Sequence, residues 1–215
     1  MIDLRLLVAA VTAAVALSGT SFAASRRTID VITHAAFFSE EMKQSEVVAP
    51  HVFVRNIVAP ETVGPLGIKH VAGLRPALIE RDAKTLPLYT ANGKALGMHL
   101  GTWLGATLAI TITDVGGDAR LDAVFSGLKP QGHYSLFERH SDQKPVTFTP
   151  MDGGGNSNSF VTQADGTAKL SIKLARSLPS TNAIVLIYHS DNQTHGRERG
   201  RVGFDAHHVV MTRPE

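Results

Sequence analysis

The sequence predicts an all-β protein: a single antiparallel β-sandwich of the Greek-key or immunoglobulin-like type, preceded by an irregular N-terminal segment. From about Leu86 onward, short apolar segments recur, and turn signals rich in Gly, Asn and Asp separate them at the close spacing of such sandwiches. Several segments alternate apolar and polar residues, which is the period of a half-buried strand. We therefore expect the sandwich domain to span residues 86–215.

The first strands of this domain are predicted to form hairpins. Asn92-Gly93 lies between two strand-like segments, and this dipeptide is the strongest short signal for a hairpin turn. Residues 107–113 alternate between apolar and polar positions, and a Gly-rich turn leads from them to residues 119–125, which alternate in the same way. These two segments are expected to pair.

The later segments are expected to supply the remaining strands. Residues 151–159 are too rich in Gly and Asn to form anything but a loop, and residues 169–174 alternate cleanly after an Asp-Gly turn. Residues 183–189, with the sequence AIVLIYH, are apolar without alternation, which is typical of a central strand covered on both faces. Residues 207–213 are predicted to form the last strand.

The segment of residues 25–85 has no clear pattern. Residues 37–48 could form a short helix capped by Ser39, and Pro60, Pro65 and Pro76 interrupt the stretch that follows. A linker, an extra layer on the sandwich and a partly disordered arm all remain open for this segment.

Residues 1–24 have the pattern of a signal peptide. An apolar run of 12 residues, 6–17, is followed by small residues that suit a signal peptidase. This run is well short of the roughly 20 residues that span a bilayer. We therefore expect cleavage, a periplasmic or extracellular location, and no membrane span in the mature chain.

Composition excludes several classes of protein. There is no cysteine, so disulfides, thiolate metal sites and cysteine nucleophiles are excluded. The formal net charge is +2, and the one dense basic cluster is residues 196–201, which argues against nucleic acid as a partner. A protein or glycan partner stays open.

Histidines concentrate near the end of the chain. His189, His195, His207 and His208 fall within 20 residues, and neutral imidazole is a common ligand of copper and zinc. Asp205 and Asp191 are the candidate carboxylates that would orient these rings from behind, as often found in metal sites. The alternative is that the rings are half-buried and hold a long loop in place.

Two further patterns bear on function. Arg197, Arg199 and Arg201 would project together from an extended loop and could bind a phosphate, sulfate or carboxylate. The tripeptide His-Ser-Asp occurs at residues 140–142 and 189–191, but adjacent residues of an extended chain point to opposite faces, whereas a catalytic triad converges from separate segments. With no Gly-x-Ser-x-Gly motif either, the sequence favours a protein that is not an enzyme.

Residues 118–138, 164–174 and 183–196 together resemble the copper/zinc superoxide dismutase sandwich. Gly127, Leu128 and His133 match a Gly-Leu turn followed by His, and His189 falls where that family has its late copper ligand. The resemblance implies a sandwich fold. The family's early pair of copper ligands corresponds to Leu136 and Glu138, and its bridging His, zinc ligands and disulfide have no counterpart, so dismutase activity is not implied.

The chain also resembles uncharacterised secreted bacterial proteins that end in a pattern of the type YHSD, THG, G and AHH, for which no activity is implied.

Three hypotheses about function follow from the sequence. The first is an exported, non-enzymatic binding or structural module that uses its His/Arg-rich loop as a contact surface. The second is a copper or zinc protein, and the third is an anion- or glycan-binding sandwich.

Overall fold

The computed structural model describes residues 25–115 and 117–212, so the predicted signal peptide lies outside the described residues. The described chain contains two short helices, α1 (His34–Glu41) and α2 (Leu100–Leu104). Its strands, in chain order, are β1 (Ser25–Ile29), β2 (Val31–Thr33), β3 (Val48–Arg55), β4 (Thr62–Val63), β5 (Lys69–His70), β6 (Leu74–Leu78), β7 (Pro87–Tyr89), β8 (Ala95–His99), β9 (Thr107–Val115), β10 (Asp118–Ser126), β11 (His133–His140), β12 (Thr147–Pro150), β13 (Ser159–Val161), β14 (Ala168–Lys173), β15 (Ala183–His189) and β16 (Ala206–Thr212).

Two antiparallel sheets form the predicted sandwich. Sheet A has the order β1-β9-β10-β14, and sheet B has the order β12-β11-β15-β16-β2, with β13 also paired to β11. Apolar side chains from both sheets meet in one core, among them Ile110 and Phe125 from sheet A and Leu136 and Leu186 from sheet B. The all-β sandwich fold is confirmed.

The strands with the clearest sequence patterns lie where those patterns predict. β9 and β10 pair along their whole length, and buried and exposed residues alternate along both of them. Every residue of β15 is buried, and this strand pairs with β11 on one side and β16 on the other. The prediction of a central strand at residues 183–189 is therefore confirmed.

Residues 25–85 are built into the fold. β1 extends sheet A by pairing with β9, and β2 extends sheet B by pairing with β16. A third sheet of order β6-β3-β7-β8 packs against the same core, to which β3 contributes Val52 and Val54. The predicted Asn92-Gly93 hairpin joins β7 to β8 in this third sheet, so it lies outside the two sheets of the sandwich.

Helix α1 covers the outer face of sheet B, the face turned away from the main core. The prediction of a helix capped by Ser39 was wrong, because the Thr33 side chain caps this helix by accepting the N–H of Ala36 at 3.2 Å. Ser39 lies inside the helix, where its Oγ accepts the N–H of Val48 at 2.9 Å and ties the helix to β3. Phe37 packs on the small apolar cluster of this outer face.

Candidate functional site

The outer face of sheet B carries most of the candidate ligands. On β15, Ile184, Leu186 and Tyr188 pack into the main core, whereas Val185 and Ile187 pack into the outer cluster. His189 lies two residues beyond Ile187 and therefore shares its outer face, since side chains alternate along a strand.

The two adjacent histidines of β16 point to opposite faces for the same reason. His208 lies opposite Ile187 in the pairing of β15 with β16 and belongs to the outer face. His207 lies opposite Tyr188, and its ring contacts Tyr188 and Trp103 of the main core. The four predicted metal ligands therefore do not form one cluster.

The first cluster, which we call the loop centre, consists of His189, Asp191 and His195. One candidate ligand atom from each of these residues lies within 4.8 Å of the other two. His195 Nε2 is 3.0 Å from Asp191 Oδ2, and the rings of His189 and His195 have their centroids 5.3 Å apart. His189 is fully buried, while the other two side chains are roughly a quarter exposed.

Both nitrogens of His189 have defined surroundings. Its Nε2 is 2.6 Å from Ser135 Oγ, and its Nδ1 is buried without a hydrogen-bond partner. Burial lowers the pKa of His189 to about 4, with a further contribution from His195, while Asp191 acts in the opposite direction. The ring is therefore neutral at pH 7, with the electron pair of one nitrogen available to a ligand.

The second cluster, which we call the three-histidine cluster, consists of His34 at the start of α1, His51 on β3 and His208 on β16. Their ring centroids are 4.4 Å apart for His34 and His51, 4.8 Å for His34 and His208, and 4.4 Å for His51 and His208. Nε2 of His51 and Nε2 of His208 are buried without hydrogen-bond partners, and candidate ligand atoms of the three rings lie within 4.8 Å of one another.

The remaining predicted metal-site residues have other roles. His207 donates from Nδ1 to the carbonyl of His51 at 2.7 Å, and its Nε2 lies 3.1 Å from Ser190 Oγ, so this ring links β16 to β3 and to the last loop. Asp205 does not bond His207. Its carboxylate accepts from the backbone N–H and the Nε of Arg201, the latter at 2.8 Å.

The three arginines predicted to act together line one cleft of about 520 Å³, along with His195 and Phe148. Arg197 donates to the carbonyl of Gly154 at 3.2 Å, and Arg201 pairs with Asp205. Arg199 lies over the Phe148 ring at 3.8 Å, and the described residues offer it no ion pair. Burial lowers its pKa.

His34 and His51, two of the three members of the three-histidine cluster, are not among the ligands that the sequence predicts. Their contacts join residues that are far apart in the chain. Nδ1 of His51, for example, accepts a hydrogen bond from the backbone N–H of His208, which is 157 positions later. The available signal was a histidine inside the apolar run of residues 47–54, where a buried imidazole needs a polar partner.

The fold and these clusters define the class of the protein as an all-β sandwich with two groups of histidines on one outer face. The chain matches no protein-family model, no curated protein and no solved structure. Among the described residues, neither helix has the length and apolar character needed to cross a membrane.

Proposed function

We propose that this protein is an exported metal-binding β-sandwich whose loop centre holds one zinc or copper ion through His189, Asp191 and His195. Two observations carry this proposal: one candidate ligand atom from each of the three residues lies within 4.8 Å of the other two, and Nδ1 of His189 is buried without a hydrogen-bond partner. Two imidazoles bound to a tetrahedral ion at about 2.0–2.1 Å have centroids roughly 5 Å apart, which agrees with the observed 5.3 Å.

The hydrogen bond of His189 to Ser135 supports the same proposal. Ser135 Oγ can accept a hydrogen bond from the Nε2–H of His189, and in that tautomer the free electron pair of the neutral ring lies on Nδ1. Metal-bound histidines almost always donate their second ring N–H to an oxygen of this kind, which orients the ring and raises its basicity. Ser135 is therefore proposed to orient the ligand.

The charges around the loop centre suit a cation. Asp191 supplies a negative charge within the cluster, and Asp205 also acts on His189 in the direction that favours positive charge. A bound divalent ion would be partly neutralised by these carboxylates, which reduces the cost of bringing it into a partly buried site. The donor set of two imidazoles and one carboxylate suits zinc and copper.

Metal content tests this proposal. We expect chelated protein that is resupplied with zinc to hold about one zinc ion per chain by elemental analysis, and to gain thermal stability from it. A ligand at 100 times its dissociation constant stabilises the folded state by about 2.7 kcal/mol. D191N and H195Q alter residues near the surface and should abolish this rise, whereas H99Q, at an exposed histidine on β8, should retain it.

Two results would overturn the metal proposal. One is wild-type protein that binds no stoichiometric metal, which would favour the module that acts through its His/Arg-rich loop without a metal. The other is zinc binding that is unchanged in both D191N and H195Q. Circular dichroism of each variant confirms that a loss of metal does not result from misfolding.

A second candidate function, anion binding, is favoured by Arg199. Its guanidinium is half-buried and has no ion pair within the described residues, yet it lines the same cleft as His195. Three protein ligands also leave one coordination position of a tetrahedral ion open. We propose that a small oxyanion enters this cleft and pairs with Arg199.

Phosphate and sulfate are the probes for this second function. We expect R199Q to weaken their binding about tenfold or more, because a hydrogen bond to a charged group contributes about 1.5–3 kcal/mol. R26Q removes an exposed arginine on β1 and is the matched control. Isothermal titration at low and high salt measures both effects, and equal affinities of wild-type protein and R199Q would contradict this role.

A further inference from the structure

The three-histidine cluster is independent of the loop centre. Its residues come from α1, β3 and β16, and none of them belongs to the loop of residues 190–205. His34 is 9% exposed, His51 is 1% exposed and His208 is 4% exposed. Two of the ring nitrogens have no hydrogen-bond partner, and each such buried polar atom lowers the stability of the fold by about 1–3 kcal/mol.

We propose that His34, His51 and His208 form a second metal site, separate from the loop centre, that takes a soft monovalent cation such as Cu(I). The ring centroids, 4.4–4.8 Å apart, lie slightly closer than the roughly 5 Å expected around one bound ion. The rings of His34 and His51 are stacked at 30° and His208 is edge-on to both, so one of the stacked rings has to turn for three nitrogens to reach one ion. A phosphate-sized anion does not fit between rings packed this closely.

The charge of the surroundings selects the valence of the ion. Arg139 and Arg199 act on His34 and His208 with positive charge, and the cluster itself contains no carboxylate. The desolvation cost of an ion grows with the square of its charge, and its repulsion by Arg199 grows in proportion to that charge. A monovalent ion therefore meets about a quarter of the desolvation cost of a divalent one.

The donor type of the cluster also suits copper. All three candidate ligands are buried imidazoles. Imidazole is a good ligand for copper, and the chain has no thiolate to compete for it.

One hydrogen bond must be released when the metal binds. Nδ1 of His51 accepts the backbone N–H of His208 at 3.2 Å, whereas a metal on Nε2 needs a proton on Nδ1. Its release leaves the buried backbone N–H of His208 without this partner, at a cost of about 1–3 kcal/mol. The metal bonds, which satisfy two buried nitrogens that otherwise have no partner, have to outweigh this cost.

Silver(I), a monovalent ion that does not change its oxidation state, is the probe for this site. We expect chelated wild-type protein to bind silver(I) in chloride-free buffer, H34Q to bind it at least tenfold more weakly, and H195Q and H99Q to bind it as the wild type does. The reverse pattern is expected for zinc, with loss in H195Q and retention in H34Q. These opposite patterns separate failure of this site from failure of the loop centre.

X-ray absorption of wild type that is first given one equivalent of zinc for the loop centre and then Cu(I) is a second test, because the copper signal reports the three-histidine cluster and no variant has to fold. We expect about three nitrogen ligands and no sulfur. Equal silver affinity in H34Q and wild type, a sulfur ligand on copper, or tighter binding of zinc than of silver by H195Q would each overturn the proposal.

Discussion

Metal-free protein is expected to lose stability steeply between pH 6.5 and pH 4, because the structure buries several histidines in the neutral form. Burial lowers the pKa of His34 to about 3 and that of His207 to about 4, and it places the pKa values of His51 and His208 well below the ordinary value of 6.5. In the unfolded chain these rings take up protons as the pH falls through 6.5, whereas the folded protein keeps them neutral.

The sign and size of this effect follow from proton linkage. Since the unfolded state binds more protons below pH 6.5, the free energy of unfolding falls as the pH decreases, by about 1.4 kcal/mol per pH unit for each such ring. Well below pH 6.5, four rings together give roughly 5–6 kcal/mol per pH unit, so two units remove an amount comparable with a typical stability of about 5–15 kcal/mol. Stability is retained above pH 6.5 and lost on the way down to pH 4.

Urea unfolding between pH 7.5 and pH 4.5 in the presence of a chelator measures this dependence. H207Q, which removes one neutral buried ring, should reduce the slope by about 1.4 kcal/mol per pH unit. H99Q at an exposed position should leave it unchanged. The free energy of unfolding could instead differ by less than about 1 kcal/mol between pH 7 and pH 5. That result would show that protonation of histidines in the unfolded state does not control the pH dependence of stability.

G155A is expected to weaken metal binding at the loop centre by at least tenfold without unfolding the protein. Gly155 has φ of +75, and a Cβ at this position would overlap the backbone of the other loop at Gly196 C and Arg197 N. The backbone that follows His195 would therefore have to move. Disturbing the support of a metal ligand typically costs 10–100-fold in affinity.

G73A is the matched control for this variant. Gly73 has φ of +80, but a Cβ there would meet nothing within 4 Å. Both variants should lose about 1–2 kcal/mol of stability from the left-handed backbone conformation, and only G155A should lose zinc affinity. Isothermal titration with zinc, alongside thermal unfolding, separates the two effects. Equal zinc affinities of the two variants would show that contact between the loops does not support the centre.

Much of the sandwich could be predicted because its evidence is local. Alternation along β9 and β10 reflects burial on one face, and the uninterrupted apolar run of β15 reflects burial on both. The start of α1 and the third sheet could not be predicted in the same way. Their short elements are stabilised by partners elsewhere in the chain, such as the bond between Ser39 and Val48, and not by a strong pattern of their own.

The candidate sites also differ in how far local sequence predicts them. By itself, the sequence determined that His189 ends a buried strand and that Asp191 and His195 follow it within one loop, which keeps those three groups close. Only the tertiary structure decided which face of sheet B each of His207 and His208 occupies, and that His34 and His51 join His208. The physical reason is that strand pairing and helix packing bring together residues more than 150 positions apart, and no local pattern encodes such a meeting.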